Sequence, residues 1–114
     1  MTPNINQILL IEDDREVRNA ISQTLRLESF NVIECSAFIE AKDHIAHDFP
    51  GLVLTDIRMQ GRDGFYVNQY CKNIDPDLPV IFLSGEGDIP MAVRAIAEGA
   101  FDFLEKPCSS DQLL

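Results

Sequence analysis

The sequence predicts a doubly wound α/β domain, in which helices cover both faces of a parallel sheet. Short apolar runs alternate along the chain with segments whose apolar residues recur every three or four positions, as strands and helices do in turn. The central runs are apolar at consecutive positions, which is typical of strands buried on both faces. A chain of 114 residues suffices for one such domain, so we expect a single domain over residues 1–114.

Five apolar runs are predicted to form the strands. Each is too short for a typical helix and rich enough in Val, Ile, Leu or Phe for a buried strand. In chain order they are Ile8–Ile11, Val32–Ile33, Leu52–Leu54, Val80–Leu83 and Phe101–Leu104.

Helix-period segments fill the intervals between these strands. The first three are indicated by apolar residues three or four positions apart, namely Val17, Ile21 and Leu25, then Phe38, Ala41 and Ile45, then Val67 and Cys71. The fourth is Pro90–Glu98, with Pro90 at the first helical position and Gly99 as the stop.

The C-terminal residues 106–114 are predicted to form a loop and the first turn of a fifth helix, with Ser109 or Ser110 as its N-cap. One turn cannot cover the apolar face that the first and fifth strands present on that side. We therefore expect a fragment or a trimmed domain whose fifth helix is truncated.

The charge balance restricts the partners. Nine Lys and Arg residues against 19 Asp and Glu residues give a formal net charge of −10, which disfavours binding to nucleic acid phosphates or to an anionic membrane. Cations, or proteins with basic patches, are the expected partners. No apolar run is long enough to span a bilayer and the N-terminus does not resemble a secretory signal, so we expect a cytoplasmic protein.

The cysteines do not indicate a disulfide framework or a zinc site. Cys35, Cys71 and Cys108 are odd in number and show no C-x-x-C pattern. All three are expected to be reduced, mostly structural thiols.

Polar residues follow four of the five predicted strands, at the sheet edge where ligands of open parallel sheets bind. The four segments are Glu12-Asp13-Asp14, Thr55-Asp56, Ser84-Gly85 and Glu105-Lys106-Pro107. Carboxylates brought together there repel one another unless a cation intervenes, and Mg²⁺ is the natural hard, oxygen-binding counter-charge. The arrangement suggests phosphate chemistry with a metal ion.

Structural roles compete with this interpretation. An Asp after a strand is often only the N-cap of the next helix, and we favour that role for Asp14. Asp56 is not expected to be an N-cap, because it is followed by a loop containing Gly61 and Gly64 and not by the start of a helix. Lys106 alone could be a surface lysine, although its place between a buried strand and a proline fixes where its amine points.

Four segments, in this order and spacing, resemble the receiver domain of two-component response regulators. They are Leu10–Asp14, Leu54–Met59, Val80–Gly85 and Asp102–Pro107, and the resemblance covers the whole chain. The run Gly87–Ile96 resembles more particularly the receivers of dicarboxylate-transport and nitrogen-regulation (NtrC-type) activators. The resemblance implies a flavodoxin-like fold with five strands in the order 2-1-3-4-5.

The resemblance also implies a role for each matching residue. Asp56 is expected to accept a phosphoryl group from a phosphohistidine of a sensor histidine kinase. Asp13 is expected to bind Mg²⁺ directly, together with Asp56, while Glu12 acts chiefly through water and Arg58 through its backbone carbonyl. Lys106 is expected to pair with the phosphoryl group as a point charge.

Ser84 and Phe103 match the switch positions of the family. The resemblance implies that the Ser84 hydroxyl moves to the phosphoryl oxygen and that the Phe103 ring rotates inward, which rearranges the fourth helix and fifth strand. Alternatively Phe103 is permanently in the core, and both interpretations are compatible with an inward bias at rest.

The implied function is signalling: phosphorylation changes self-association, as in a homodimer, or contact with an absent effector domain that controls transcription. No enzymatic activity is expected beyond self-phosphotransfer and autodephosphorylation. One alternative is a Mg²⁺-dependent phosphohydrolase with an Asp nucleophile, but such enzymes usually carry an acid two residues later, where this chain has Arg58. Another is a degenerate receiver that binds its partner without phosphorylation.

Overall fold

The computed structural model describes residues 6–59, 61–85 and 89–105. The strands are β1 (Gln7–Ile11), β2 (Asn31–Cys35), β3 (Gly51–Asp56), β4 (Val80–Ser84) and β5 (Asp102–Glu105). The helices are α1 (Arg15–Leu27), α2 (Phe38–Ala41), α3 (Gly64–Ile74) and α4 (Ile89–Ala97), and a 3₁₀ turn over Lys42–His44 continues α2.

The five strands form one parallel sheet in the order β2-β1-β3-β4-β5, which confirms the predicted topology. β1 lies between β2 and β3, so Ile11 pairs with Cys35 on one side and Thr55 on the other. Asp56, at the end of β3, pairs with Leu83 of β4. The register therefore brings the ends of β1, β3 and β4 to the same edge of the sheet.

Apolar side chains cover both faces of the sheet, as the doubly wound class predicts. On one face, strand residues such as Leu9, Val53 and Phe82 pack with residues of α2, α3 and α4. On the other, Leu10 and Leu54 pack with Ile21 and Leu25 of α1. Alternate strand residues point to opposite faces, so every central strand contributes to both cores.

The start of α1 is fixed by its predicted N-cap. Asp14 has an extended backbone and its side chain accepts hydrogen bonds from the backbone N–H groups of Glu16, at 2.9 Å, and Val17, at 3.1 Å. Two of the backbone donors that a helix start leaves without partners are satisfied in this way. The prediction that Asp14 is a cap is confirmed.

The second helix is shorter than its periodicity predicts. It has four residues and gives way to the 3₁₀ turn, so that Ile45 is buried but lies outside any helix. Its N-cap residue is Ala37, whose methyl group cannot accept a capping hydrogen bond. A helix of one turn has little stability of its own, and burial of Phe38 and Ala41 holds it in place.

The predicted fifth strand is wrong at its first residue. Phe101 donates its backbone N–H to the carbonyl of Val80 at 2.8 Å, so its main chain already meets β4, but its side chain is 71% exposed. The strand proper begins at Asp102. Gly99, the predicted stop of α4, has φ +96°, and α4 begins at Ile89, one residue before the predicted Pro90.

The expectation of a truncated fifth helix falls on residues 106–114, outside the described residues. In the described part of the chain, the helices are too short or too polar to cross a bilayer.

Asp75 joins the end of α3 to the turn before β3. Its Oδ1 accepts the N–H of Asp77 at 3.0 Å and its Oδ2 accepts the N–H of Asp48 at 3.2 Å. These two hydrogen bonds lower the pKa of the Asp75 carboxyl below its usual range, and the bond from Asp77 has the larger effect. The ionised carboxylate thus stabilises the fold.

Because the folded-state pKa of Asp75 is lowered, its contribution is fully present above the unfolded pKa of about 3.9 and is lost as the pH falls through the folded value. Asp75→Asn is therefore expected to melt below the parent at neutral pH, and the difference in Tm should narrow as the pH falls below about 4. The exposed Asp77→Asn is the matched control and should show no such difference. A Tm difference for Asp75→Asn that does not change with pH would contradict this role.

Candidate functional site

Three carboxylates converge at the C-terminal edge of the sheet. Glu12 directly follows β1, Asp13 comes next, and Asp56 ends β3, the neighbouring strand. One oxygen from each side chain lies within 4.8 Å of the others. Glu12 is 0% and Asp56 6% exposed, whereas Asp13 is exposed. We call these three residues the acidic trio.

Hydrogen bonds hold the turn that carries the first two members of the trio. The Glu12 N–H donates to the carbonyl of Cys35 at 3.0 Å, and the Asp14 N–H donates to Glu12 Oε1 at 3.1 Å. Arg18 of α1 donates from Nη1 to the Glu12 carbonyl at 2.8 Å. The turn is therefore anchored to β2 on one side and to α1 on the other.

Asp56 is held by the loop that follows it. Thr55 Oγ1 donates to the Asp56 carbonyl at 3.1 Å, and the N–H of Ile57 donates to Leu83 of β4 at 3.1 Å. Gly64, the first residue of α3, donates its N–H to Ile57 at 2.9 Å. A Cβ at Gly64 would lie 2.5 Å from the Asp56 carbonyl oxygen. Only glycine therefore allows the start of α3 to come this close to the end of β3.

The switch candidates lie on the next two strands. Ser84 is the last residue of β4 and is 3% exposed. Phe103 lies on β5, in register with Phe82, and is 37% exposed. The interpretation of Phe103 as a permanent core residue, and with it the inward bias at rest, is wrong for this conformation, because an edge strand leaves one side of the ring uncovered.

The other predicted site residues are placed only in part. Arg58, two residues after Asp56, is exposed. Lys106, the predicted partner of the phosphoryl group, falls outside the described residues, as does Cys108. The site that the structure assembles therefore consists of the acidic trio, with Ser84 at the same edge.

The acidic trio fits a hard divalent cation. Its three oxygens are carboxylate donors, which Mg²⁺ prefers, and they come together within 4.8 Å. Two of the three side chains are buried, where like charges are costly without a counter-charge. The donor set and its burial agree with the predicted magnesium site.

A second group of potential ligands, His47, Asp48 and Asp75, lies at the opposite edge of the sheet, near the start of β3. Both carboxylate oxygens of Asp75 already accept backbone N–H groups. That group is explained by the structural role of Asp75.

The two described cysteines are buried free thiols. Burial, with a smaller effect of Glu40, raises the pKa of Cys35 to about 11, and burial raises the pKa of Cys71 to about 12. Both thiols thus stay protonated at neutral pH and are poor nucleophiles, in agreement with the predicted structural role.

Two residues of the site were missed from the sequence. Arg18 lies four residues after the N-cap Asp14, and this spacing places both residues on one face of α1. The spacing could therefore have indicated that Arg18 lies near the acidic turn. Gly64 carried no such signal, because its contact with Asp56 depends on how the loop returns to the sheet.

The chain matches the response regulator receiver domain family over residues 8–114. The C4-dicarboxylate transport transcriptional regulatory protein DctD of Rhizobium meliloti is 47% identical over 107 residues, which cover 94% of this chain and 23% of that protein. The response regulator protein TodT of Pseudomonas putida is 37% identical over 116 residues, covering 100% of this chain and 50% of that protein. The chain thus spans half or less of the length of these relatives.

A solved structure agrees with the sequence relatives. The crystal structure of the receiver domain of NtrX from Brucella abortus superposes with a TM-score of 0.80 at 36% sequence identity. The match covers 93% of this chain and 90% of that one.

The close approach of α3 to Asp56 gives a testable prediction. Gly64→Ala places a methyl group against the Asp56 carbonyl and should lower stability by about 1–3 kcal/mol, as overpacking does, while displacing Asp56. Thermal unfolding and phosphorylation by acetyl phosphate measure the two effects. Gly61→Ala is the control: it faces open space at φ +81° and should cost stability only through backbone strain. Unaltered stability and labelling in Gly64→Ala would refute the contact.

Proposed function

The chain belongs to the response regulator receiver domain family, whose function is phosphoryl acceptance, and on that premise we propose that Asp56 is the acceptor. The observation that supports this assignment most strongly is the acidic trio, in which Asp56 ends β3 beside Glu12 and Asp13. The helix that follows, α3, has its own N-cap in Asp63, whose side chain accepts the N–H of Tyr66.

The proposed reaction is a transfer between two proteins. An Asp56 carboxylate oxygen attacks the phosphorus of a phosphohistidine, the P–N bond breaks, and an acyl phosphate forms on Asp56. The electron pair of the broken bond stays on the imidazole of the kinase. Hydrogen bonds around Thr55, Ile57 and Gly64 keep the end of β3 in place, so the carboxylate does not have to be ordered during the transfer.

We assign the cation site to Asp13 and Asp56 as direct ligands, with Glu12 acting chiefly through water and the Arg58 carbonyl as a further ligand. When bound, Mg²⁺ supplies positive charge that offsets the clustered carboxylates and the oxygens of the phosphoryl group. The exposure of Asp13 beside two buried acids leaves an open side for a hydrated ion. Lys106 is proposed to pair with the phosphoryl group, on the strength of its place in the sequence motif.

Ser84 and Phe103 are proposed to transmit the change. The burial of Ser84 at the end of β4 puts a hydroxyl at the same edge as Asp56, and the half-exposed Phe103 ring leaves room for an inward movement. The hydroxyl would hydrogen-bond the phosphoryl oxygen and the ring would occupy the space vacated.

Response regulators work with histidine kinases, and the relatives of this chain are much longer than it is. We propose that a sensor histidine kinase is the phosphoryl donor, that the domain resides in the cytoplasm, and that its output is homodimerisation or control of a transcriptional effector domain. The net charge of −10 suits neither DNA nor an anionic membrane as a direct partner of this domain. Autodephosphorylation is proposed as its only hydrolytic reaction, since Arg58 occupies the position of a phosphohydrolase's second acid.

The acceptor assignment predicts the behaviour of two isosteric variants. Asp56→Asn should abolish labelling by acetyl phosphate, because the amide cannot act as the nucleophile, whereas Asp13→Asn should label more slowly and need more Mg²⁺. Intact-protein mass spectrometry over a Mg²⁺ series measures both. Asp43→Asn, on the exposed 3₁₀ turn, is the control and should label like the parent. Full labelling of Asp56→Asn would refute the assignment.

Mg²⁺ should also stabilise the unphosphorylated protein, because binding to the native state alone raises the free energy of unfolding. At ten times the Kd the gain is about 1.4 kcal/mol, which corresponds to a Tm shift of several degrees in a domain of this size. Calorimetry with and without Mg²⁺, at matched ionic strength in NaCl, measures the shift. Asp13→Asn should reduce it, and an equal Tm in both salts for the parent would contradict the metal site.

A further inference from the structure

Arg18 is a basic side chain that bonds directly to the backbone of the acidic trio. Its Nη1 donates to the Glu12 carbonyl at 2.8 Å, from the second turn of α1. Asp14, one helical turn earlier, caps the same helix. The guanidinium thereby ties the body of α1 to the turn that carries Glu12 and Asp13.

Three polar groups of Glu12 form hydrogen bonds with described residues. Its N–H donates to Cys35, its Oε1 accepts the N–H of Asp14, and its carbonyl accepts Arg18. Because Glu12 is fully buried, removing the Arg18 donor leaves a carbonyl that must find another partner or move toward water. The turn that holds Asp13 would move with it.

Arg18 has two opposed effects on a cation at this site. Its positive charge repels a cation. That charge also reaches α2, where hydrogen bonds from Ser36 are the main cause of the lowered pKa of the Glu40 carboxyl and the charge of Arg18 lowers it further. Its hydrogen bond favours cation binding, because a turn that is already ordered loses less conformational entropy when its carboxylates bind the ion.

We propose that Arg18 is a positioning residue for the divalent cation of the acidic trio, and that its hydrogen bond to Glu12 outweighs the repulsion of its charge. The proposal rests on the proposed function only in taking Mg²⁺ as the cation. The two roles predict opposite results when Arg18 is replaced. If Arg18 acted only through its charge, its removal would strengthen Mg²⁺ binding, whereas loss of a positioning hydrogen bond weakens it.

The chain offers a matched control on the same helix. Arg18→Met removes the hydrogen-bond donor and the charge but keeps an apolar side chain. Arg15→Met removes the same charge from an exposed arginine three residues earlier on the helix. In calorimetric Mg²⁺ titrations at a temperature where circular dichroism shows all variants folded, Arg18→Met should weaken binding about fivefold, the effect of one hydrogen bond. Arg15→Met should leave it unchanged or strengthen it slightly, and Arg18→Lys should recover part of the loss.

Amide hydrogen exchange in metal-free protein gives a second readout. The Asp14 N–H, which bonds Glu12 Oε1, should exchange about fivefold faster in Arg18→Met and at the parental rate in Arg15→Met. Equal effects of the two variants on affinity and exchange, or tighter Mg²⁺ binding by Arg18→Met, would overturn the proposal. If the parent bound no Mg²⁺, the proposed function would fail, and the exchange rates would still decide whether Arg18 holds the turn.

Discussion

The crowding of carboxylates at one edge of the sheet is the constraint on which the rest of this site depends. Glu12 and Asp56 are both buried. One carboxylate oxygen from each of them and one from Asp13 all lie within 4.8 Å of one another. Like charges held this close in a poorly hydrated place are costly, and the cost falls when a cation binds and when hydrogen bonds fix the oxygens. The parallel sheet creates the crowding, because β1 and β3 are neighbours that end at the same edge.

The local structure around the trio can be understood from that constraint. On the β1 side, α1 begins at once, and Asp14 and Arg18 connect its first turns to the acidic turn. On the β3 side, a longer loop returns so that Gly64 rests against the Asp56 carbonyl. Both helices therefore support the site from their N-terminal ends, where the helix dipole also favours negative charge. The same supports that stabilise the fold keep the acceptor in place.

Much of this arrangement could be predicted from the sequence, and the rest depends on contacts between distant residues. Apolar runs locate the strands, and the acids that follow them locate the edge, because strand ends follow directly from local patterns. The early end of α2, the exposed side chain of Phe101 and the half-exposed ring of Phe103 were not predictable in this way. Periodicity shows which residues can share a face, but not where the backbone leaves a helix or what covers an edge strand.

The most direct test of the account is to locate the phosphoryl group in the unaltered protein. After reaction with acetyl phosphate and Mg²⁺, borohydride reduction converts an aspartyl phosphate to homoserine, and peptide mass spectrometry identifies the position. We expect homoserine at position 56 and at no other Asp, with the yield lost when Mg²⁺ is removed. Homoserine at Asp13 or elsewhere, or an equal yield without Mg²⁺, would contradict it.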